Sequence, residues 1–276
     1  MKIGFIGTGS MGRTLVEAFI HAQTFLPSEI VISNRTQKTA DQLAAAYPGI
    51  QVAHNNLELV QQVSCFFICV KPGEFRQVFE DILPGIKADQ LAISITSPVM
   101  LEDLEKWLPC KVAKIIPSIT NQVLCGSSLY IPGSRITPKE EQWLHQLLST
   151  ISNPLKVDER HTRISSDLAS CAPAFLANIL EQMVEAAVKK TGIPPETAAP
   201  LVAQMALGVG KLLTEGGFSL HSLQQRVSVP GGITAEGLEL LEQELSPAFD
   251  KLFHITHAKY EEDVEKVKRS LQYRSI

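Results

Sequence analysis

Short apolar runs, bounded by Gly, Pro and Asn, alternate over the first part of the chain with longer stretches whose apolar residues recur every three or four positions. The runs Ile3–Ile6, Glu29–Ser33, Gln51–Ala53, Cys65–Val70, Leu91–Ile95, Val112–Ile116, Gly126–Ile131 and Leu155–Val157 predict strands. Between them, helices are predicted from the first glycine turn through Phe19 and over Gln37–Tyr47, Leu57–Val63, Phe75–Leu83, Leu101–Trp107 and Pro138–Ile151. Cys65–Val70 is apolar without alternation, the pattern of a parallel strand covered on both faces. Strands and helices in rotation predict an α/β fold, an N-terminal Rossmann domain with a doubly wound sheet.

Near Asp158 the rhythm changes, and only helical spacing continues. Ile164, Leu168, Cys171, Phe175, Ile179, Met183 and Ala187 mark a helix over Thr162–Lys190, widened by Ala172, Leu176, Leu180 and Val184. Pro173 removes one backbone donor within it and predicts a kink. Further helices are predicted over Pro195–Leu213, Leu220–Arg226, Ala235–Glu242 and Ser246–Arg269. Two domains are therefore expected, residues 1–160 and an all-α part over 161–276. A small helical domain with so much apolar surface is expected to bury it against a second copy, giving a homodimer or a higher homo-oligomer.

Composition narrows the function classes. With 276 residues, 45% hydrophobic, 20% charged and a net charge of −4, the chain matches neither a basic nucleic-acid binder nor a disordered chain. No apolar run is long enough to cross a bilayer, and no signal peptide is expected ahead of the first strand. The five cysteines include no C-x-x-C pair, so a reduced, cytoplasmic protein is expected.

The first strand runs into Gly7-Thr8-Gly9-Ser10-Met11-Gly12, a G-x-G-x-x-G turn that opens a helix. In that context the glycines serve a tight turn, close approach of backbone to a pyrophosphate, and packing of helix on strand, while the helix N-terminus offers free N–H groups to phosphate charge. The second strand ends in Ser33-Asn34-Arg35, where an NAD site would carry an acid for the ribose hydroxyls. Arg35 instead suits a 2′-phosphate, which points to NADP(H); the plain alternative is a solvated Arg35 with Asn34 or Thr36 capping the next helix. Val70-Lys71-Pro72 lies at the carboxyl end of a buried strand, the edge that faces the cofactor crevice, so Lys71 either touches the cofactor or caps the strand.

Pro230-Gly231-Gly232-Ile233-Thr234, Val70-Lys71-Pro72, Ala172-Pro173-Ala174-Phe175 and Leu207–Leu213 together resemble the pyrroline-5-carboxylate reductase family, and the likeness runs nearly end to end. It looks similar to a divergent reductase-like branch encoded beside late-competence genes of Bacilli. The resemblance implies NADPH-dependent reduction of the C=N bond of 1-pyrroline-5-carboxylate to L-proline, in a helix-swapped dimer. It also implies that Thr234 meets the imine nitrogen. Backbone N–H groups around Gly231 and Gly232, and around Ser170, Cys171 and Ala172, would hold the substrate carboxylate. The other reading of Thr234 is a helix N-cap.

Departures from the family pattern fall at the substrate end. Ser170 and Ala172 stand where the family has glycines, Thr96-Ser97-Pro98 replaces Ala-Ala-Gly, Pro117-Ser118-Ile119-Thr120 replaces Pro-Asn-Thr-Pro, and Val229 replaces a Ser or Thr. An NADP-binding regulator with altered or lost catalysis is thus a second reading. A β-hydroxyacid dehydrogenase is disfavoured, because that class needs a lysine on the first long helix and none lies between Lys156 and Lys189. No metal site is expected: His254-x-x-His257 lacks a third ligand and reads as exposed histidines, and the charged run Glu261–Arg269 as a solvated face.

Overall fold

A computed structural model describes residues 1–272. The chain forms two compact units, Met1–Cys171 with the segment from Thr256 onward, and Ala172–Ile255. In chain order the first contains β1 (Ile3–Ile6), α1 (Ser10–His21), β2 (Ile30–Ser33), α2 (Gln37–Ala46), β3 (Gln51–Val52), α3 (Asn56–Gln62) and β4 (Cys65–Ile68). It continues with α4 (Phe75–Ile82), β5 (Leu91–Ser94), α5 (Leu101–Trp107), β6 (Lys111–Ile116), β7 (Ser127–Pro132), α6 (Pro138–Ser149), β8 (Asn153–Lys156) and α7 (Thr162–Ser166).

The eight strands make one sheet in the order β3-β2-β1-β4-β5-β6-β7-β8. Pairing is parallel from β3 through β6, β7 runs antiparallel to β6, and β8 pairs parallel with β7. The strand order reverses between β1 and β4, and in such a sheet ligands bind beyond the carboxyl ends at that point. Alternation along β4 explains its unbroken apolar run. Phe67 stacks on Phe5 of β1 at 4.8 Å in one core, whereas Phe66 and Ile68 enter a second core with Phe79 and Trp107. Each face of the strand meets its own layer of helices, so no position has reason to be polar.

The second unit holds α8 (Ala172–Thr191), α9 (Pro195–Thr214), α10 (Leu220–Val227) and the first part of α11 (Ile233–Leu271). Ala198 is the one buried residue among those described in it. No described helix is long and apolar enough to cross a membrane.

The compact units meet at 171/172, because Thr162, Ser166 and Asp167 are buried within the first unit. Two expectations are corrected here. The helix expected over Thr162–Lys190 is broken by a π-turn at Asp167–Cys171, just ahead of Pro173, where the missing donor makes a wider turn the local solution. The two helices expected over Ala235–Glu242 and Ser246–Arg269 are one, α11, which continues through Gln243–Leu245 and past Pro247, since a proline removes a single donor and a long helix tolerates that; its end returns to the first unit, where Val267 and Leu271 join the second core.

Candidate functional site

In the register of β2, β1 and β4, Ile6 lies level with Ser33 and Ile68, so the loops that follow share one edge. Gly7 N–H donates to the Ser33 carbonyl and Cys69 N–H to that of Ile6, both at 2.8 Å. Gly7 sits at φ +93°, and a Cβ there would lie 2.7 Å from the Cys69 carbonyl oxygen. At Gly12 a Cβ would come within 2.2 Å of the Gly7 carbonyl oxygen, so α1 can pack on its strand only with glycine there. Gly9 differs: a Cβ would meet nothing within 4 Å. Gly9 is also the N-cap of α1 and offers no side chain, so the first-turn N–H groups of Ser10, Met11 and Gly12 have no side-chain cap.

The open side of this turn faces a cavity of about 620 Å³. Gly7, Gly9, Ser33, Asn34, Arg35, Val70 and Lys71 line it. Asn34 Oδ1 accepts from the Thr8 N–H at 3.0 Å and its amide donates to the Thr36 carbonyl, which ties the end of β2 to the glycine turn. Neither Asn34 nor Thr36 caps α2 with its side chain: Thr36 is the N-cap residue and makes no side-chain cap bond. Arg35 reaches across to Glu74 at 2.6 Å. Lys71 stands at both the turn and the cavity. Its N–H donates to Glu74 Oε2 at 3.2 Å and starts a short 3-10 helix at Pro72, and Lys71 also lines the cavity. Pro72 lines a smaller hollow against α11 instead.

A further wall was not read from the sequence. Ser33 Oγ donates to Asn56 Oδ1 at 2.7 Å, Asn56 Nδ2 to Asp81 Oδ2 at 3.0 Å, and Gln77 Nε2 to Asp81 Oδ1 at 2.8 Å. The cluster His54-Asn55-Asn56 follows β3 at the same edge, and the rule that singled out Lys71 at the end of β4 would have found it. Burial pushes the Cys69 thiol, beside this wall, well above the ordinary cysteine range. An uncapped helix start, an open glycine, no acid after β2 and a guanidinium at the mouth together fit a dinucleotide carrying a 2′-phosphate.

Beyond β5, Thr96 Oγ1 donates to the Val70 carbonyl at 2.8 Å. Lys114, fully buried on β6, donates to the Ser97 carbonyl at 3.0 Å and pairs with Glu159 at 2.8 Å. Burial lowers its pKa, while the Glu159 carboxylate opposes that shift. The pair holds the Thr96–Pro98 loop at the sheet's carboxyl edge.

The π-turn brings Ser170 and Cys171 into the first unit. Ser170 Oγ donates to the Pro117 carbonyl at 2.8 Å, so the side chain that stands for a family glycine ties the turn to the loop after β6. Arg163 reaches Asp167 at 2.7 Å and Cys171 Sγ at 3.2 Å, and Thr256 Oγ1 donates to Asp167 at 2.8 Å. The other expected substrate residues, Ala172, Gly231, Gly232 and Thr234, belong to the second unit. There Gly231 takes φ +70°, and α11 starts at Ile233. Thr234 therefore lies inside the first turn, not at the cap, and is exposed. His254 is exposed as expected, but His257 is half-buried with Nε2 3.8 Å from Asp167.

Comparison with known proteins matches the two parts of the chain to two family models. A family model for pyrroline-5-carboxylate reductase dimerisation matches residues 159–263, and one for NADP oxidoreductase, coenzyme F420-dependent, matches residues 2–98. Pyrroline-5-carboxylate reductase of Methanosarcina acetivorans is 30% identical, over 88% of this chain and 90% of its own. The chain belongs to the pyrroline-5-carboxylate reductase family. ComE operon protein 4 of Bacillus subtilis is 40% identical over 98% of both chains, in line with the late-competence branch expected within the reductase family. The solved structure of Plasmodium falciparum pyrroline carboxylate reductase with NADP bound shares the fold, with a TM-score of 0.81 over 98% of both chains at 23% identity. An NADP oxidoreductase domain thus precedes a helical dimerisation domain, whose presence supports a homo-oligomer.

Proposed function

We propose that the protein is an NADPH-dependent reductase of the C=N bond of 1-pyrroline-5-carboxylate, yielding L-proline, and that it works as a cytoplasmic homodimer or larger homo-oligomer. One observation carries the cofactor half: the uncapped start of α1 opens on a cavity of about 620 Å³ that has Arg35 where an NAD site has an acid. The N–H groups of Ser10, Met11 and Gly12 hold the pyrophosphate, Asn34 fixes the turn, and Arg35 meets the 2′-phosphate. NADPH, when bound, supplies the hydride. The chain's own part is to orient: holding substrate and cofactor in line accounts for about 7–11 kcal/mol of barrier lowering. The Thr234 hydroxyl, free of capping duty, donates to the imine nitrogen as it becomes an amine. Main-chain N–H groups around Gly231 and Gly232, and around Ser170, Cys171 and Ala172, hold the carboxylate.

The assay is loss of NADPH absorbance with racemic 1-pyrroline-5-carboxylate. Turnover is expected, and Thr234→Ala should lower kcat by about a hundredfold, the low end for a positioned proton donor. An unchanged rate removes Thr234 from the reaction. A second reading, an NADP-binding regulator, is favoured by Ser170, whose hydroxyl is spent on Pro117 where the family keeps a glycine. Micromolar NADPH binding without turnover would select it.

A further inference from the structure

The guanidinium proposed to meet the 2′-phosphate is already engaged. Arg35 is 85% exposed on its side chain, and its partner is Glu74, 2.6 Å away. The two residues come from different loops of the same edge, after β2 and after β4, and both line the nucleotide cavity. Glu74 is also the more tethered and the less exposed of the two. Its second oxygen accepts the Lys71 N–H at 3.2 Å, and Pro72 opens the 3-10 turn on which it sits, so the carboxylate is held at the mouth by backbone geometry.

We propose that Glu74 is a built-in competitor for the 2′-phosphate, occupying Arg35 until a phosphate displaces it, so that cofactor preference is set by the pair and not by Arg35 alone. This rests on the NADP(H) reading of the cavity. A 2′-phosphate carries nearly two negative charges. Beside Arg35 it must break an existing ion pair and then lie close to the displaced carboxylate. NADH, with only a hydroxyl there, meets neither penalty. The competitor therefore narrows the preference for NADPH without removing it. An exposed pair of this kind corresponds to a factor of about two to five in binding. The arrangement is also salt-sensitive, because both charges stand in water.

The test compares wild type with Glu74→Gln, which removes the charge and keeps an oxygen for the Lys71 N–H. Dissociation constants are measured by calorimetry for NADPH, NADH and the fragments 2′,5′-ADP and 5′-AMP. Glu74→Gln should tighten NADPH and 2′,5′-ADP by about two- to fivefold and leave NADH and 5′-AMP within experimental scatter. In the same series Arg35→Ala should weaken 2′,5′-ADP and spare 5′-AMP. Unchanged or weaker NADPH binding by the Glu74 variant overturns the inference. So does a loss confined to NADH, which would make Glu74 an acceptor for the ribose hydroxyl. If neither wild type nor variant binds any of the four nucleotides, the cofactor reading itself fails, and that result is distinct from a wild type that binds NADPH and ignores the substitution.

Discussion

Gly9 and Gly12 stand three residues apart in one turn and answer to different demands. Alanine at Gly12 would press its Cβ to 2.2 Å from a backbone oxygen, and backbone cannot give way cheaply. Gly12→Ala should destabilise the protein by about 1–3 kcal/mol, the usual range for overpacking, and lower Tm by several degrees. Gly9→Ala meets nothing in the fold, so Tm should hold while NADPH affinity falls by at least about tenfold, since the methyl would take space proposed for the pyrophosphate. A thermal melt and a nucleotide titration on each variant check both halves; equal behaviour of the two would contradict the assignment. The thiols make a second contrast. Cys110 is buried and its pKa is pushed up to about 11, chiefly by desolvation, while Cys125 is exposed. Only the thiolate reacts, so a raised pKa cuts the reactive fraction of Cys110 at pH 7 and restores it as pH climbs toward 11. Maleimide labelling followed by mass spectrometry should find Cys125 modified and Cys110 intact at pH 7. At this scale the glycines and Arg35 were legible, because a motif reports local backbone demands. Glu74 as the partner of Arg35 was not, since nothing local links residues on two different loops.

The π-turn at Asp167–Cys171 holds two of the proposed substrate residues, Ser170 and Cys171, and Asp167 anchors it. Its carboxylate is fully buried, paired with Arg163 and accepting from Thr256 of α11. Asp167→Asn keeps the shape but leaves the Arg163 guanidinium, only 16% exposed, without its counter-charge. Removing one member of a buried pair costs about 3–5 kcal/mol, so urea denaturation should show a loss of that order with the slope unchanged. A loss under about 1 kcal/mol would mean that water reaches the pair. Sequence periodicity located this helical region and Pro173 marked a disturbance in it, yet the form of the disturbance depends on partners from α7 and α11 that spacing cannot display. The same limit hid the continuity of α11: Ser246-Pro247 looks locally like the start of a new helix, and the antiparallel β7 looks like any other apolar run. Strands such as β1 and β4 were legible because burial on both faces writes directly into composition.

For the whole molecule the decisive quantity is what the second unit leaves uncovered. Leu176, Met183 and Leu201 are 51%, 57% and 62% exposed in the single chain, and only Ala198 is buried among the residues described there. A helical unit without a core of its own cannot offset its conformational entropy, so its order depends on a partner that covers these side chains. The apolar circumference of the helix through Phe175 and Met183 already implied this, whereas the division at 171/172 came only from the buried polar residues that hold 162–171 to the sheet. Membership in a family with a dimerisation domain over residues 159–263 identifies that partner as a second copy. An obligate interface of this type buries more than about 2,000 Å², so light scattering should give a dimer or larger at micromolar concentration. The double substitution Met183→Glu and Leu201→Glu should lower the assembled fraction and, with it, the helical signal in circular dichroism, while the first unit keeps its nucleotide affinity. A monomer that retains full helical content would show that the second unit is stable without a partner and would remove the argument from uncovered apolar surface.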